Sequence, residues 1–399
     1  MSSGPEPAEP SGRLVAIFAF ACALSVANIY YAQPLVGFIA PELHLSPRLS
    51  GFIMTLTQLG YGTGLLFLVP LADLFENRRL IVLAISGVVV GLAGIALAPG
   101  AATFMAASFV VGVCAVATQI LVPLISHLTP ERARGRVVGN VMGGLLAGIM
   151  LARPIASVVS GHLGWRTVFA GSAVAMALAA VVLARVLPQR QPTGARTYRQ
   201  TLRSMAGLVA TTPALRRRAL YQGLMFGMFT LFWTATPLLL VKQFGISHDG
   251  LAWFTLAGAA GALSAPLAGR LADRGWSRPA TGLAMATAAV AFGLGLVAAE
   301  VDSLPLLVVA AVLLDGAVQI TQVVSLRAIY LLAPENRSRL NGLYMAFTFV
   351  CGATSSALAT AIYAYGWPAL AWTGVGIAVC ALLAFATEPA ASATVRAHA

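Results

Sequence analysis

The sequence predicts an all-α membrane protein whose twelve transmembrane helices form two six-helix repeats. Three observations carry that prediction. Hydrophobic residue types make up 59% of the 399 residues and charged types only 10%, where soluble domains carry about 25% charged residues. Twelve apolar runs are each long enough to cross a hydrocarbon layer ~30 Å thick, which takes about 20 helical residues. Short polar motifs recur at a nearly constant offset between the halves. This composition excludes a soluble globular domain, a disordered chain and a collagen-like repeat. The net charge of +12 is no sign of nucleic-acid binding, because the arginines fall in short clusters between apolar runs and a nucleic-acid footprint needs a concentrated basic face.

The first run, residues 14–38, follows a polar tail and Arg13. It is longer than a signal-peptide core and leads straight into further spans, so it is expected to remain in the protein. Its Ala21-Cys22 pair fits a lipoprotein cleavage site only weakly. The second run, 49–71, stops just before Asp73, and the third, 80–98, starts after Arg78 and Arg79. The fourth covers 102–126, the fifth 137–161 after Arg132, Arg134 and Arg136, and the sixth 167–187. A connector at 188–218 carries seven arginines and no acid, which suits the surface of an anionic inner leaflet. Tyr198, Leu202, Met205 and Val209 share one helical face of it, compatible with a short interfacial helix or with a flexible basic linker. Six more runs follow at 219–241, 251–271, 280–298, 306–331, 341–363 and 369–385. The expected domains are therefore 1–187, a cytoplasmic linker 188–218, and 219–399. Continuous apolarity over such lengths excludes β-barrel strands of about 10 alternating residues.

Orientation follows from the bias of basic residues towards the cytoplasm. With the N-terminus inside, twenty arginines fall on cytoplasmic segments, among them Arg337, Arg339 and Arg396. Only Arg48, Arg166 and Lys242 fall outside. Both termini are expected to be cytoplasmic, and the chain is expected in the inner (cytoplasmic) membrane as a monomer. Cys22, Cys114, Cys351 and Cys380 all lie within spans at no paired spacing, so they read as small buried hydrophobes and not as a disulfide or metal set. No cofactor, metal or nucleic-acid partner is expected.

The chain is written twice. Leu71-Ala72-Asp73 after the second span is echoed by Leu271-Ala272-Asp273 after the eighth, at an offset of 200. Pro130-Glu131 with Arg134, Arg136 and Gly139 is echoed by Pro334-Glu335 with Arg337, Arg339 and Gly342, at offsets of 203 to 204. Gly164-Trp165 matches Gly366-Trp367 at an offset of 202. Repeats of six spans have parallel topology, and a site between two such halves suits alternating access.

With these residues in view, the chain resembles the major facilitator superfamily. The duplicated Leu-Ala-Asp loop with its arginines resembles that family's loop signature. Asn28-Ile29-Tyr30-Tyr31-Ala32-Gln33-Pro34 and Gln58-Leu59-Gly60-Tyr61 are similar to bacterial drug:proton antiporters and arabinose-efflux-like permeases. The resemblance covers nearly the whole chain and implies a proton-coupled exporter of drugs or other small, partly hydrophobic molecules. It also implies a cavity lined by the first, fourth, seventh and tenth helices. Two family features differ: the fourth span has Ser108 before Gly112 where an arginine is usual, and Arg153-Pro154 stands where Gly-Pro closes the antiporter glycine pattern of Gly139, Gly143, Gly144 and Gly148.

Asp73 with Arg78 and Arg79, and Asp273 with Arg274 and Arg278, are expected to form cytoplasmic gate pairs that break as the halves rock. A purely topological role for these charges is the alternative. Ionisable groups inside spans are costly and mark a cavity or a partner. Only Arg153 and Asp315 lie well inside, each ~12–14 Å below the outer surface at 1.5 Å per residue. Their similar depth permits an ion pair between the halves, either as a proton-coupling site centred on Asp315 or as a permanent structural pair. Gln319 and Gln322 share a helical face with Asp315. With Asn28, Tyr31 and Gln119 they are the candidate substrate-binding groups, and Trp233, beside Met225, Met228, Phe229 and Phe232, offers an apolar wall. Amides within spans can instead tie helices together, the role expected of Gln58. Arg327 and His127 carry no assigned role.

Other classes fit less well. No phosphate-binding Gly-rich loop is present and Lys242, the sole lysine, is not in one, which argues against a built-in ATPase of that kind. A membrane-embedded enzyme would want clustered His, Cys or carboxylates, and the five histidines are scattered. A channel or non-transporting sensor fits poorly with duplicated gates. Transport of a sugar or small polar metabolite stays open, because amide stripes bind hydroxyls as readily.

Overall fold

A computed structural model of the chain describes residues 9–46, 49–191, 197–332 and 337–388. Arg48, Pro334, Glu335 and Arg396, used above, lie outside the described residues, as does the C-terminal tail whose side of the membrane was read from charge. Among the described residues the fold is entirely helical: α1 (Gly12–Ala27), α2 (Val36–Glu42), α3 (Phe52–Phe67), α4 (Asn77–Ala96), α5 (Ala101–Cys114), α6 (Ala117–His127), α7 (Glu131–Leu163) and α8 (Trp165–Val186). After the connector come α9 (Tyr198–Thr211), α10 (Pro213–Lys242), α11 (His248–Ala259), α12 (Ala265–Asp273), α13 (Ser277–Glu300), α14 (Leu304–Leu332), α15 (Arg337–Tyr363) and α16 (Trp367–Ala386). Short 3-10 turns at Val69–Asp73 and Ala260–Ser264 extend α3 and join α11 to α12.

Among the described residues, ten stretches are long and apolar enough to cross a membrane. The first, fourth and eighth predicted runs differ from expectation, because each is broken, the fourth by a turn at Ala115–Val116 between α5 and α6. α1 stops at Ala27, where the Asn28 side chain donates to the Leu24 carbonyl at 2.8 Å and so competes with the helical ladder. Turns then carry the chain past Pro34 to α2. In the eighth run Pro266 sits in the first turn of α12; lacking an N–H, proline starts a helix more readily than it continues one. The connector contains α9, closed at its start by a capping box between Thr197 and Gln200, so this part of it is a helix and not a flexible linker.

The Gly-Trp echo has a structural cause. Gly164 and Gly366 hold φ of 80° and 97° with ψ of 155° and 164°, a backbone region open to glycine alone. Each turns the chain sharply so that the following tryptophan begins α8 or α16. The Arg echo also has one: Arg134 Nε donates to the Ser126 carbonyl at 3.2 Å and Arg337 Nε to the Tyr330 carbonyl at 3.3 Å. Both donate to a carbonyl in the last turn of the preceding helix, where intrahelical partners run out.

Helix packing repeats in the same way. α4 packs on α5 and α8, and α13 packs on α14 and α16. Across the two halves of the sequence, α3 lies along α15 and α7 lies along α11. The α3–α15 seam carries polar bonds at one end: Gly51 N–H donates to Thr360 Oγ1 at 3.1 Å, Ser356 Oγ to the Gly51 carbonyl at 3.2 Å, and Thr55 Oγ1 to the Ala353 carbonyl at 3.2 Å. Gly144 and Gly148 of the partial glycine pattern let α7 approach the backbone of α1 at Ala19 and Ala23.

Candidate functional site

The two buried charges meet. Arg153 on α7 and Asp315 on α14 form an ion pair with Nη1 3.8 Å from Oδ2, their side chains only 4% and 8% exposed. The second carboxylate oxygen accepts a 2.7 Å hydrogen bond from the indole Nε1 of Trp233 on α10. The guanidinium lies over three rings, 4.3 Å from the centroid of Trp233, 4.9 Å from Phe229 and 5.7 Å from Tyr30. Such cation–π contacts are worth about 2 kcal/mol or more when desolvated, and they hold the cation where water cannot. Arg153 Nε has no hydrogen-bond partner.

The breaks in the first and eighth runs border this pair. Tyr30 belongs to the turn after α1, and the turn between α11 and α12 packs on α14 at Asp315. A Cβ on Gly261 would stand 2.5 Å from the Val312 carbonyl oxygen and 2.7 Å from Asp315 Cβ. One on Gly258 would stand 2.6 Å from the Trp233 ring, which is itself fully buried. Ser264 Oγ donates to the Gly316 carbonyl at 3.2 Å. In transporters built from repeats, interrupted helices mark the binding site.

The other candidate residues divide. Asn28 is committed to helix packing: besides its bond to Leu24, its Oδ1 accepts from Ser172 Oγ of α8 at 2.7 Å. Tyr31 is buried in the turn after α1. Gln119 on α6 is half-buried within a chain of bonds across the halves. Tyr330 donates to Asn341 Oδ1, Asn341 Nδ2 to Gln119 Oε1, and Gln119 Nε2 to Tyr61 OH, each at 3.1 Å. Gln319 and Gln322 are half-buried, one and two turns along α14 from Asp315. Phe229 belongs to the apolar wall expected beside Trp233, whereas Tyr61, Asn341 and the cage ring Tyr30 were not singled out as site residues by sequence reasoning. They acquire their place only when distant helices meet, and no local spacing signals that.

The gate pairs are corrected in detail. Asp73 does not pair with Arg78 or Arg79, because Glu76 caps α4 and accepts from their backbone N–H groups at 2.8 and 3.1 Å. The Arg79 side chain instead lies 3.7 Å from Glu76 and is 83% exposed. The partner of Asp73 is Arg339 of α15, at 3.9 Å, a contact between the two halves of the sequence. Asp273 pairs with Arg327 of α14. Arg274 is exposed at the end of α12, and Arg278 Nη2 donates to the Glu388 carbonyl at 2.9 Å. The expectation sought partners a few residues away, whereas Asp73 and Asp273 meet arginines of helices distant in the sequence.

Comparison with known proteins agrees with this architecture. The chain is 39% identical over 386 residues to an uncharacterized transporter, YgaY, of Escherichia coli, covering 94% of this chain and 95% of that one. It is 31% identical over 389 residues to the probable transporter SCO4007 of Streptomyces coelicolor, covering 94% and 90%. Among solved structures it superposes on the nucleoside transporter NupG with a TM-score of 0.75 at 12% identity, covering 94% of this chain and 99% of that one. On the human organic anion transporter MFSD10 (TETRAN) the TM-score is 0.69 at 16% identity, covering 95% and 100%; at these identities the likeness concerns the fold alone. The chain matches the Major Facilitator Superfamily over residues 15–251 and 218–398. With an all-helical, multi-pass membrane fold and transporters as its relatives, this chain belongs to the major facilitator superfamily.

Proposed function

We propose that the protein is a proton-coupled secondary transporter exporting small, partly hydrophobic molecules. Two six-helix halves, 1–187 and 219–399, alternate access to a site between them, with both termini on the cytoplasmic side of the inner membrane. The observation that carries this reading is the buried Arg153–Asp315 pair, joining α7 to α14 beside the interrupted first and eighth runs. A charge pair sealed from water resists separation, because each partner would be left unpaired in a medium of low dielectric. A proton delivered to the Asp315 carboxylate removes that obstacle: the attraction to Arg153 falls, the aromatic cage retains the cation, and the halves are freed to rock. Loss of the proton restores the pair. Asp315 is thus the proton carrier, Arg153 its counter-ion, and Trp233 the donor that orients the carboxylate. The Asp73–Arg339 contact latches the cytoplasmic side in the closed arrangement and opens with each cycle.

The test is counterflow in liposomes with an imposed pH gradient. A stabilisation screen of the purified protein against amphipathic dyes and sugars first selects the solute. Wild-type protein is expected to move an amphipathic dye such as ethidium only when the gradient is imposed. Asp315→Asn is expected to abolish gradient-driven movement while leaving dye binding in place. Full proton-driven transport by Asp315→Asn removes the coupling role, and stabilisation by sugars with none by amphipathic dyes overturns the exporter reading.

A further inference from the structure

Below the ion pair, the faces of α3, α10 and α15 close on a cluster of rings. Phe226 stacks on Phe229 at 5.4 Å and 12°, Phe349 leans on Phe226 at 5.0 Å, and Tyr61 leans on Phe349 at 4.5 Å. Two glutamines stand on the same helix faces. Gln58 precedes Tyr61 by three residues on α3, and Gln222 precedes Phe226 and Phe229 by four and seven on α10, so each shares a face with its rings. Both are wholly buried, and neither Oε1 nor Nε2 of either has a hydrogen-bond partner. The Gln58 amide lies over Gly352 of α15: a Cβ there would stand 3.0 Å from Gln58 Oε1 and 2.7 Å from the Phe226 ring.

This arrangement contradicts the role of interhelical glue expected of Gln58, since glue needs a bond. Elsewhere the same seam is hydrogen-bonded through Gly51, Thr55, Ser356 and Thr360. Buried amides without partners forfeit their hydration for nothing in return, and such groups in a folded protein call for an explanation in function.

We propose that this cluster is the solute-reading site. Gln58 and Gln222 read the edge of a planar ring that carries a hydrogen-bond donor beside an acceptor, as in a lactam, an imide or an aromatic primary amide. A glutamine side chain presents N–H and C=O side by side, the geometry that pairs in bidentate fashion with such an edge. The rings of Phe226, Phe229, Phe349 and Tyr61 receive the flat faces in offset or edge contact. In the closed arrangement the ring cluster collapses on itself and the amides go unpaired; when α3 and α15 part, the solute takes up both. The inference rests on the transporter reading and names its substrate class.

The test uses the purified full chain in detergent and two probes, 2-quinolone and 1-methyl-2-quinolone, which differ in the lactam N–H. Wild-type protein is expected to gain thermal stability with 2-quinolone at concentrations at least tenfold lower than with its methylated partner. Gln58→Met and Gln222→Met are expected to unfold at the wild-type temperature or above without ligand, and to lose that selectivity. If Gln58→Met does not fold, Gln58→Asn, which keeps the amide but withdraws it by one methylene, is expected to fold and lose selectivity. Absence of stabilisation by 2-quinolone, an equal response to both probes, selectivity retained in the variants, or failure of both Gln58 variants to fold overturns the proposal. Binding in detergent needs no gradient, so failure here leaves pH-driven counterflow standing. Failed counterflow with selective binding intact removes the coupling and not the site.

Discussion

If Arg153 and Asp315 are charged partners, removing both must cost far less than the sum of removing each alone. At 3.8 Å and an effective dielectric of 20, their mutual attraction is ~4 kcal/mol. Arg153→Met leaves a buried carboxylate with only the Trp233 indole as donor, and Asp315→Asn leaves a buried guanidinium with only its rings. Breaking a buried pair from one side typically costs about 3–5 kcal/mol. Asp315→Asn is expected at the lower end, because Trp233, Phe229 and Tyr30 continue to hold the cation and asparagine still accepts from Trp233. Independent effects would sum to about 6–10 kcal/mol in the double variant, whereas a coupling of ~4 kcal/mol makes the double variant no worse than either single one. Unfolding by sodium dodecyl sulfate in mixed micelles, followed by far-UV circular dichroism for the four proteins of the cycle, reads this directly. Additivity to within about 0.5 kcal/mol, or an Asp315→Asn variant as stable as wild type, would refute the charged pair.

Three further outcomes follow from the geometry. Gly164→Ala and Gly366→Ala force a side chain into a backbone region reserved for glycine and are each expected to cost about 1–3 kcal/mol in the same unfolding assay; a loss at one position and none at the other would contradict their equivalence. Gly261→Ala places a methyl 2.5 Å from the Val312 carbonyl and 2.7 Å from Asp315 Cβ. It should slow gradient-driven transport by at least tenfold while the protein still purifies folded, and wild-type rates would show that the break can shift freely. Asp73→Asn removes an ion pair whose carboxylate is 51% exposed, so stability should change by less than about 1 kcal/mol. Labelling of a cysteine placed at Gly342, beside Leu65 of α3, should nevertheless speed up as the latch weakens; unchanged labelling argues against gating by this contact.

Much of the molecule was legible before any coordinates. Membrane crossing is a matter of length and apolarity, and most of the twelve predicted runs are single long helices. The Gly-Trp and Arg echoes read in the sequence proved to be backbone and capping devices, local effects that need only a few neighbouring residues. Even the depth argument for Arg153 and Asp315 used nothing beyond helical rise and the cost of an isolated charge in lipid.

What local reading could not supply was direction. Asn28 looked like a pocket amide and is spent on Ser172, Gln58 looked like glue and has no bond, and Asp73 found its arginine in α15 rather than at Arg78 or Arg79 nearby in the chain. Each outcome depends on which way a side chain points once helices far apart in sequence lie side by side. Hydropathy and motif spacing determined that this chain crosses the membrane many times and carries two buried charges at one depth. Only the tertiary packing decided which polar groups are paired, caged or left unsatisfied, because hydrogen bonds and ion pairs act over a few ångströms, and only the packing brings those partners within reach.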